Sequence, residues 1–229
     1  MRKEVVVITD DSGTILPPKN FWKSKFGTGI DIREHAEINR LLAEHGLGIP
    51  ADDLDREEVY REILKDYLRP ARVMYAGMFS EVRSFVDELG EVCNADLYII
   101  SRRYGLVNQH DEIIPHKYHI DSIEKLQVLD AAQGFSAKMR EVCTGRTVLI
   151  FCLPKHYIAY LNSIRWFETI PEGTGAVMIT SKEFADLEAS HKNIRVLPRR
   201  GVCRVGRENR KKILNVILQD GCPAGGVSD

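Results

Sequence analysis

Five short apolar runs constrain this chain more than any other feature: EVVVITD (4–10), ADLYIIS (95–101), RTVLIFCLP (146–154), GAVMITS (175–181) and NIRVLP (193–198). They are rich in β-branched residues and lack the strict polar alternation of a strand with one wet face. Such strands must be covered on both sides, and segments of helical period lie between them. Apolar strands alternating with helices predict a single three-layer α/β domain with a mainly parallel, Rossmann-like sheet.

The intervening segments carry start and stop signals. Asp31 is placed to cap a helix running to about Glu44 and stopping at Gly46, and Asp55 opens a second, DREEVYREILKDYL, which ends before Pro70. Met78, Val82, Phe85, Val86 and Leu89 have helical spacing. Ser122 to Val142 reads as one long helix carrying Gly134, and KHYIAYLNSI (155–164) as a short one. Gly206 to Gln219 reads as a terminal helix with Ile213, Leu214 and Ile217 inward and Arg207, Arg210 and Lys211 outward. Residues 1–220 are expected to form the domain, with 31–68 as an acidic helical insertion or flank and 221–229 as a flexible tail.

A chain of 229 residues, 44% hydrophobic and 28% charged, has the composition of a globular domain with a real core, and its net charge of -1 attracts neither nucleic acid nor membrane globally. No apolar run reaches the roughly 18–20 residues that span a bilayer, and the N-terminal run is too short for a signal peptide. Five cysteines with no C-x-x-C pair argue against a disulfide framework, and Cys93, Cys143 and Cys152 read as reduced core residues. The cytoplasm is the expected compartment. Charge is uneven locally: residues 31–66 hold eleven acids against five Lys or Arg, and residues 192–212 hold nine basic residues against Glu208 alone. The basic segment reads either as a stripe tracking phosphates or as a solvated helix face.

Open parallel sheets bind ligands at the carboxyl ends of their strands, so strand exits are the places to look. After the first run, Asp10, Asp11, Ser12 and Gly13 could hold a ribose hydroxyl or cradle an anion, or form a plain turn. No G-x-G-x-x-G, no P-loop and no other cofactor motif is present. After the second run come Ser101, Arg102, Arg103, Tyr104 and Gly105. Two guanidiniums there need carboxylates or phosphates, so at least one is expected to face a ligand or an acidic partner. Tyr104 offers an aromatic face to a base. Asp111, His110, His116 and His119 follow as acid–base groups, loop anchors or, less well supported by their spacing, metal ligands. Tyr75 and Gly77 precede a helix that could line the same crevice. Arg204, Gly206 and Arg207 open the terminal helix, whose first amides favour an anion.

The segments MYAGMFSEVRSFVDE and ADLYIISRRYGLVNQHDEIIPHKYHI resemble an α/β domain family of bacteria, archaea and phages. Its marks are a Leu-Tyr-x-Gly segment before a helix, an Ile-Leu-Ser-Ala-Lys-Tyr-Gly-Leu strand exit and an acid-Ile-x-Pro-Tyr segment. Tyr75, Gly77, Ser101, Tyr104, Gly105, Leu106 and Pro115 match; Gly206 and Arg207 are similar to its Gly-x-Gly-x-Arg helix start. The likeness covers residues 72–119 and, loosely, the terminal helix. This chain departs from it with Asp10-Asp11-Ser12-Gly13 in place of a Cys-Gly or Ser-x-x-Lys turn, and with His116 in place of Tyr. The resemblance implies the fold. A more distant similarity to the YaaA-type peroxide-stress proteins implies a link to nucleic acid.

Two functions are expected from these residues. One is a hydrolase or transferase acting on a nucleoside, nucleotide or nucleic-acid base, cleaving or transferring at the N-glycosidic bond. In it Asp10 or Asp111 stabilises an oxocarbenium-like centre and His116 protonates the leaving base. The other is a nucleic-acid-binding or damage-response module without turnover, using the basic segment.

Overall fold

A computed structural model of the chain describes residues 2–15, 29–117, 120–199, 201 and 203–218. The first apolar run is strand β1 (Glu4–Asp10). A short hairpin of β2 (Thr14–Ile15) and β3 (Ile30–Asp31) follows. Asp31 caps only a single 3-10 turn, and His35 instead caps α1 (Ala36–Glu44), its Nδ1 accepting from the Ile38 amide. Then come α2 (Glu57–Ile63), β4 (Arg69–Pro70), α3 (Ala71–Met74) and α4 (Phe79–Val92). The second run is β5 (Asn94–Ser101), followed by β6 (Gly105–Asn108) and β7 (Glu112–Ile113), which pairs with β4.

Ser122–Val142 is two helices rather than one. Gly134, at φ +62°, ends α5 (Ile123–Gln133) in the left-handed conformation, and α6 (Phe135–Cys143) starts beyond it. Glycine takes that conformation without the Cβ clash that other residues suffer. The chain continues through β8 (Val148–Cys152), α7 (Lys155–Ser163), β9 (Gly175–Thr180), α8 (Asp186–Ser190), β10 (Ile194–Pro198) and α9 (Arg207–Leu218).

Among the described residues the main sheet has six strands in the order β10-β9-β8-β1-β5-β6. All neighbours are parallel except β6, which returns antiparallel along the β5 edge. The alternating residues of each run explain the continuous hydrophobicity. Val5, Val7 and Ile150 pack with residues of α1, α2, α4 and α9, whereas Val6, Ile8, Leu149 and Phe151 pack with residues of α5 to α8. The molecule is an α/β domain of three layers, as the runs required. Residues 31–68 belong to its core, since Ile38, Leu42, Tyr60, Leu64 and Tyr67 share the cluster of Val5 and Val7. No described helix is long and apolar enough to cross a membrane. The expected tail at 221–229 and His119 lie outside the described residues.

Candidate functional site

The register aligns three strand exits. Asp10 pairs with Ile100 of β5, and Thr9 with Cys152 of β8. Beside β1 the helices change sides: α4, the helix leading from β1 into β5, covers one face, and α7, which follows β8, covers the other. Where neighbouring strands send their connections to opposite faces, a crevice opens at their carboxyl ends. Asp10 and Asp11 stand at the exit of β1, and His156 and Tyr157 at the start of α7, just after the exit of β8.

Asp11 locks the exits of β1 and β5 together. Its amide donates to the Ile100 carbonyl at 3.2 Å, and its Oδ2 accepts the Arg102 amide at 2.8 Å. The Arg102 guanidinium returns to the same carboxylate, Nε to Oδ1 at 2.7 Å. On the other side of Asp10, Arg204 donates to Thr9 Oγ1 at 2.9 Å, to the Asp11 carbonyl at 2.7 Å and to the Asp10 carbonyl. It also stands 2.8 Å from Asp10 Oδ1. The Asp10–Arg204 and Asp11–Arg102 contacts are close enough for ion pairs but not aligned as hydrogen bonds, so Asp10 Oδ1, Asp11 Oδ1 and Arg102 Nε keep unused bonding capacity. Burial pushes the Asp10 carboxyl above the ordinary carboxylate range; Arg204 opposes the shift and the neighbouring Asp11 adds to it.

His116 reaches the cluster by a detour. After β6 the chain is three residues back from the exit, Asn108 pairing with Tyr98, and β7 and Ile114 then carry it forward again. Nδ1 of His116 bonds the Ile114 carbonyl at 2.9 Å and so carries a proton. Nε2 lies 3.3 Å from Ser101 Oγ, 3.4 Å from the Tyr75 hydroxyl and 3.7 Å from Asp11 Oδ2. The Tyr104 ring meets the imidazole edge-on at 5.3 Å. His116 is therefore buried among Ser101, Tyr75 and Tyr104, within ion-pair distance of Asp11. Ser101 Oγ accepts the Arg103 and Tyr104 amides at 3.3 and 3.2 Å and closes the turn.

Asp10, Ser12, Tyr75, Gly77, Ser101, Arg102, Tyr104, His116 and Arg204 are brought to one end of the sheet. Gly77 backs onto Thr14 Oγ1 and Ser12 Oγ, and Gly13 lies in the same turn. Gly105 gives room to Gln133, whose Cβ would lie 2.7 Å from an added methyl. Asp111 is not in the site: it is three residues down the β5 edge, its Oδ2 accepting the Asn108 amide at 2.7 Å in a turn. The anion site at Gly206 is already filled from within. Glu81 of α4 accepts the amides of Arg204, Val205 and Gly206 at 2.6, 3.2 and 3.3 Å, and Arg207 is exposed beside it. Arg210, expected outward, turns in to Glu88 at 2.5 Å. Arg103 finds Asp53 and Glu57 of the acidic segment at 2.9 and 3.0 Å. The Tyr104 hydroxyl is likewise taken by Glu57 at 2.8 Å, which fixes its ring. No described group of three or more His, Cys, Asp or Glu could hold a metal ion.

His156 and Tyr157 escaped the sequence reading, although the rule that singled out the exits of β1 and β5 applied equally to LPKHY after β8. The Tyr157 hydroxyl and His156 Nε2 are buried with no hydrogen-bond partner. Burial, with Asp10 and Asp11 nearby, raises the Tyr157 phenol well above its ordinary value, and burial lowers the His156 imidazole below its own. No family model, curated protein or solved structure matches the chain.

Proposed function

We propose that the chain is an enzyme acting on a nucleoside or nucleotide at its N-glycosidic bond, with the reacting centre in the crevice beside Asp10 and Asp11. The observation that carries this reading is the pair of adjacent buried carboxylates in unlike surroundings at the sheet's switch point. Each stands against an arginine, Asp10 against Arg204 at 2.8 Å and Asp11 against Arg102 at 2.7 Å, but burial raises the Asp10 carboxyl above the ordinary range. A buried carboxyl with a raised affinity for its proton, beside a second carboxylate held by an arginine, can supply an acid and a fixed charge. Asp10 donates its proton to a ring nitrogen of the leaving base as the C1′–N bond breaks. Asp11, positioned by Arg102 and His116, faces the positive charge that develops on the ribosyl carbon. The rival binding module has less support, because Arg204 and Arg210 point into the protein and the basic segment is not a continuous stripe.

The test is a thermal-shift screen of the chain against nucleobases, nucleosides, nucleotides and short oligonucleotides, followed by chromatography for released base. A monomeric nucleoside or nucleotide should stabilise the protein and lose its base. Asp10→Asn should keep that stabilisation and lower turnover by about 10²- to 10⁴-fold, the range for a lost general acid. Stabilisation by oligonucleotides alone, with no base released, would replace this reading with the binding module.

A further inference from the structure

Two neighbouring side chains on α7 end in buried polar atoms without an aligned hydrogen-bond partner, His156 Nε2 and the Tyr157 hydroxyl, the latter with the Arg102 guanidinium beside it. A buried polar atom left without a hydrogen-bond partner is destabilising, so a fold that keeps two of them side by side has kept them for something that binds. Their rings are 4.7 Å apart and inclined at 48°. They lie on the α7 side of the crevice, whereas Arg204 closes the α4 side against the Phe79 ring.

The protonation pattern follows from the partners. His156 Nε2 has no hydrogen-bond partner, and the Ile120 backbone acts on the ring as well. With the proton of the neutral ring on Nδ1, Nε2 presents a lone pair. The charged groups acting on the ring are Asp10 from β1, Arg102 from β5 and Asp121 ahead of α5, and burial outweighs them, keeping the ring neutral to lower pH than usual. Tyr157, with Asp10 and Asp11 acting on it, stays a phenol and can donate. An acceptor and a donor are two of the two to four polar partners that an ordered water requires.

We infer that His156 and Tyr157 are the water-handling half of the site, so that the glycosidic bond is cleaved by hydrolysis rather than transferred to another acceptor. The inference rests on the nucleoside reading above and adds the base and the nucleophile to it. Tyr157 holds the water oxygen, and His156 Nε2 takes one of its protons as that oxygen bonds to C1′. The C1′–N bond breaks, its electron pair goes to the base nitrogen, and that nitrogen takes the Asp10 proton. The products are the free base and the sugar hemiacetal. His156 is left protonated and Asp10 ionised, and a proton passing from the imidazolium to the carboxylate through solvent restores both.

Two measurements on the full chain test this. NMR of the imidazole carbons across pH 5 to 8 follows each histidine. His156 should titrate with a midpoint below the ordinary imidazole value of about 6.5. A His156 midpoint at or above that value overturns the assignment. Base release is then compared between the parent chain, His156→Gln and Tyr157→Phe. His156→Gln should lower kcat by about 10²-fold or more with little change in KM, in melting temperature or in nucleoside-induced stabilisation. Equal kcat in the parent and His156→Gln sinks the role of His156 and leaves the nucleoside reading standing. Base release only when a second base or an alcohol is added sinks hydrolysis in favour of transfer. No base release by the parent from any nucleoside or nucleotide sinks the nucleoside reading, and the hydrolysis inference with it.

Discussion

Replacing Arg103 by Met separates a structural arginine from a ligand-binding one. Its side chain is fully buried and donates five hydrogen bonds: to Glu57 Oε2 from Nε at 3.1 Å and Nη2 at 3.0 Å, to Asp53 Oδ1 at 2.9 Å, and to the carbonyls of Ala51 and Asp53 at 2.7 and 3.2 Å. The rings of Tyr60 and Tyr104 flank it at 5.4 and 5.7 Å. Met fills similar volume but strands both carboxylates and both carbonyls. Removing one partner of a buried pair costs about 3–5 kcal/mol. The lower end applies here, because the Asp53 and Glu57 side chains stay 31% and 17% exposed and keep Tyr60 and Arg61 as partners. For a chain of this size each kcal/mol moves the melting temperature by about 2–4 °C, so a loss near 3 kcal/mol predicts a drop of about 6–12 °C. Urea unfolding followed by circular dichroism gives the free energy, and a thermal melt gives the shift. Arg103→Met combined with Glu57→Gln should recover part of the loss, since the stranded charge is then removed. A shift below about 2 °C, or lost ligand affinity at unchanged stability, would refute this and turn Arg103 toward the ligand.

Three further perturbations test the surroundings of the site. Because the folded state raises the Asp10 pKa, its contribution to stability is fully present below the unfolded value of about 3.9 and is lost as pH rises from there through the raised value. Asp10→Asn should flatten that part of the stability–pH curve in urea titrations, and parallel curves would contradict it. Glu81→Ala removes the acceptor shared by three amides of the turn before α9; it should cost about 1–3 kcal/mol and speed amide hydrogen exchange at residues 204–206, where unchanged protection would count against the latch. Gly105→Ala and Gly134→Ala both place Cβ at positive φ, +75° and +62°. Only the first also meets Gln133, so it should cost about 2–4 kcal/mol against about 1–2 for the second, and equal losses by denaturant unfolding would show that the contact is relieved.

The α/β class was legible because a sheet covered on both faces leaves its mark on every residue of a strand. Val5 to Ile8 are apolar without alternation since odd and even positions each meet a helical layer. The break at Gly134 was half visible: glycine was noted, but whether it bends a helix or ends one depends on the φ that the packing of α5 and α6 demands. The strand β6 was read as loop, because four residues, GLVN, owe their strand geometry to pairing with the β5 edge rather than to their own propensity.

Local chemistry by itself marked Arg102, Arg103 and the amides around Gly206 as groups that need charged partners. Only the tertiary structure decided which partners they found. Asp11, Asp53, Glu57 and Glu81 answer them from 46 to 125 positions away along the chain, and an interaction across such a gap has no periodicity to betray it. The same holds for His156 and Tyr157, ordinary residues at the start of an ordinary helix. Their unused polar atoms became meaningful only when parallel register set the exit of β8 level with that of β1. Composition and period are properties of neighbours in sequence, whereas a site is made by charges that folding buries together and leaves for one another, or for a ligand, to satisfy.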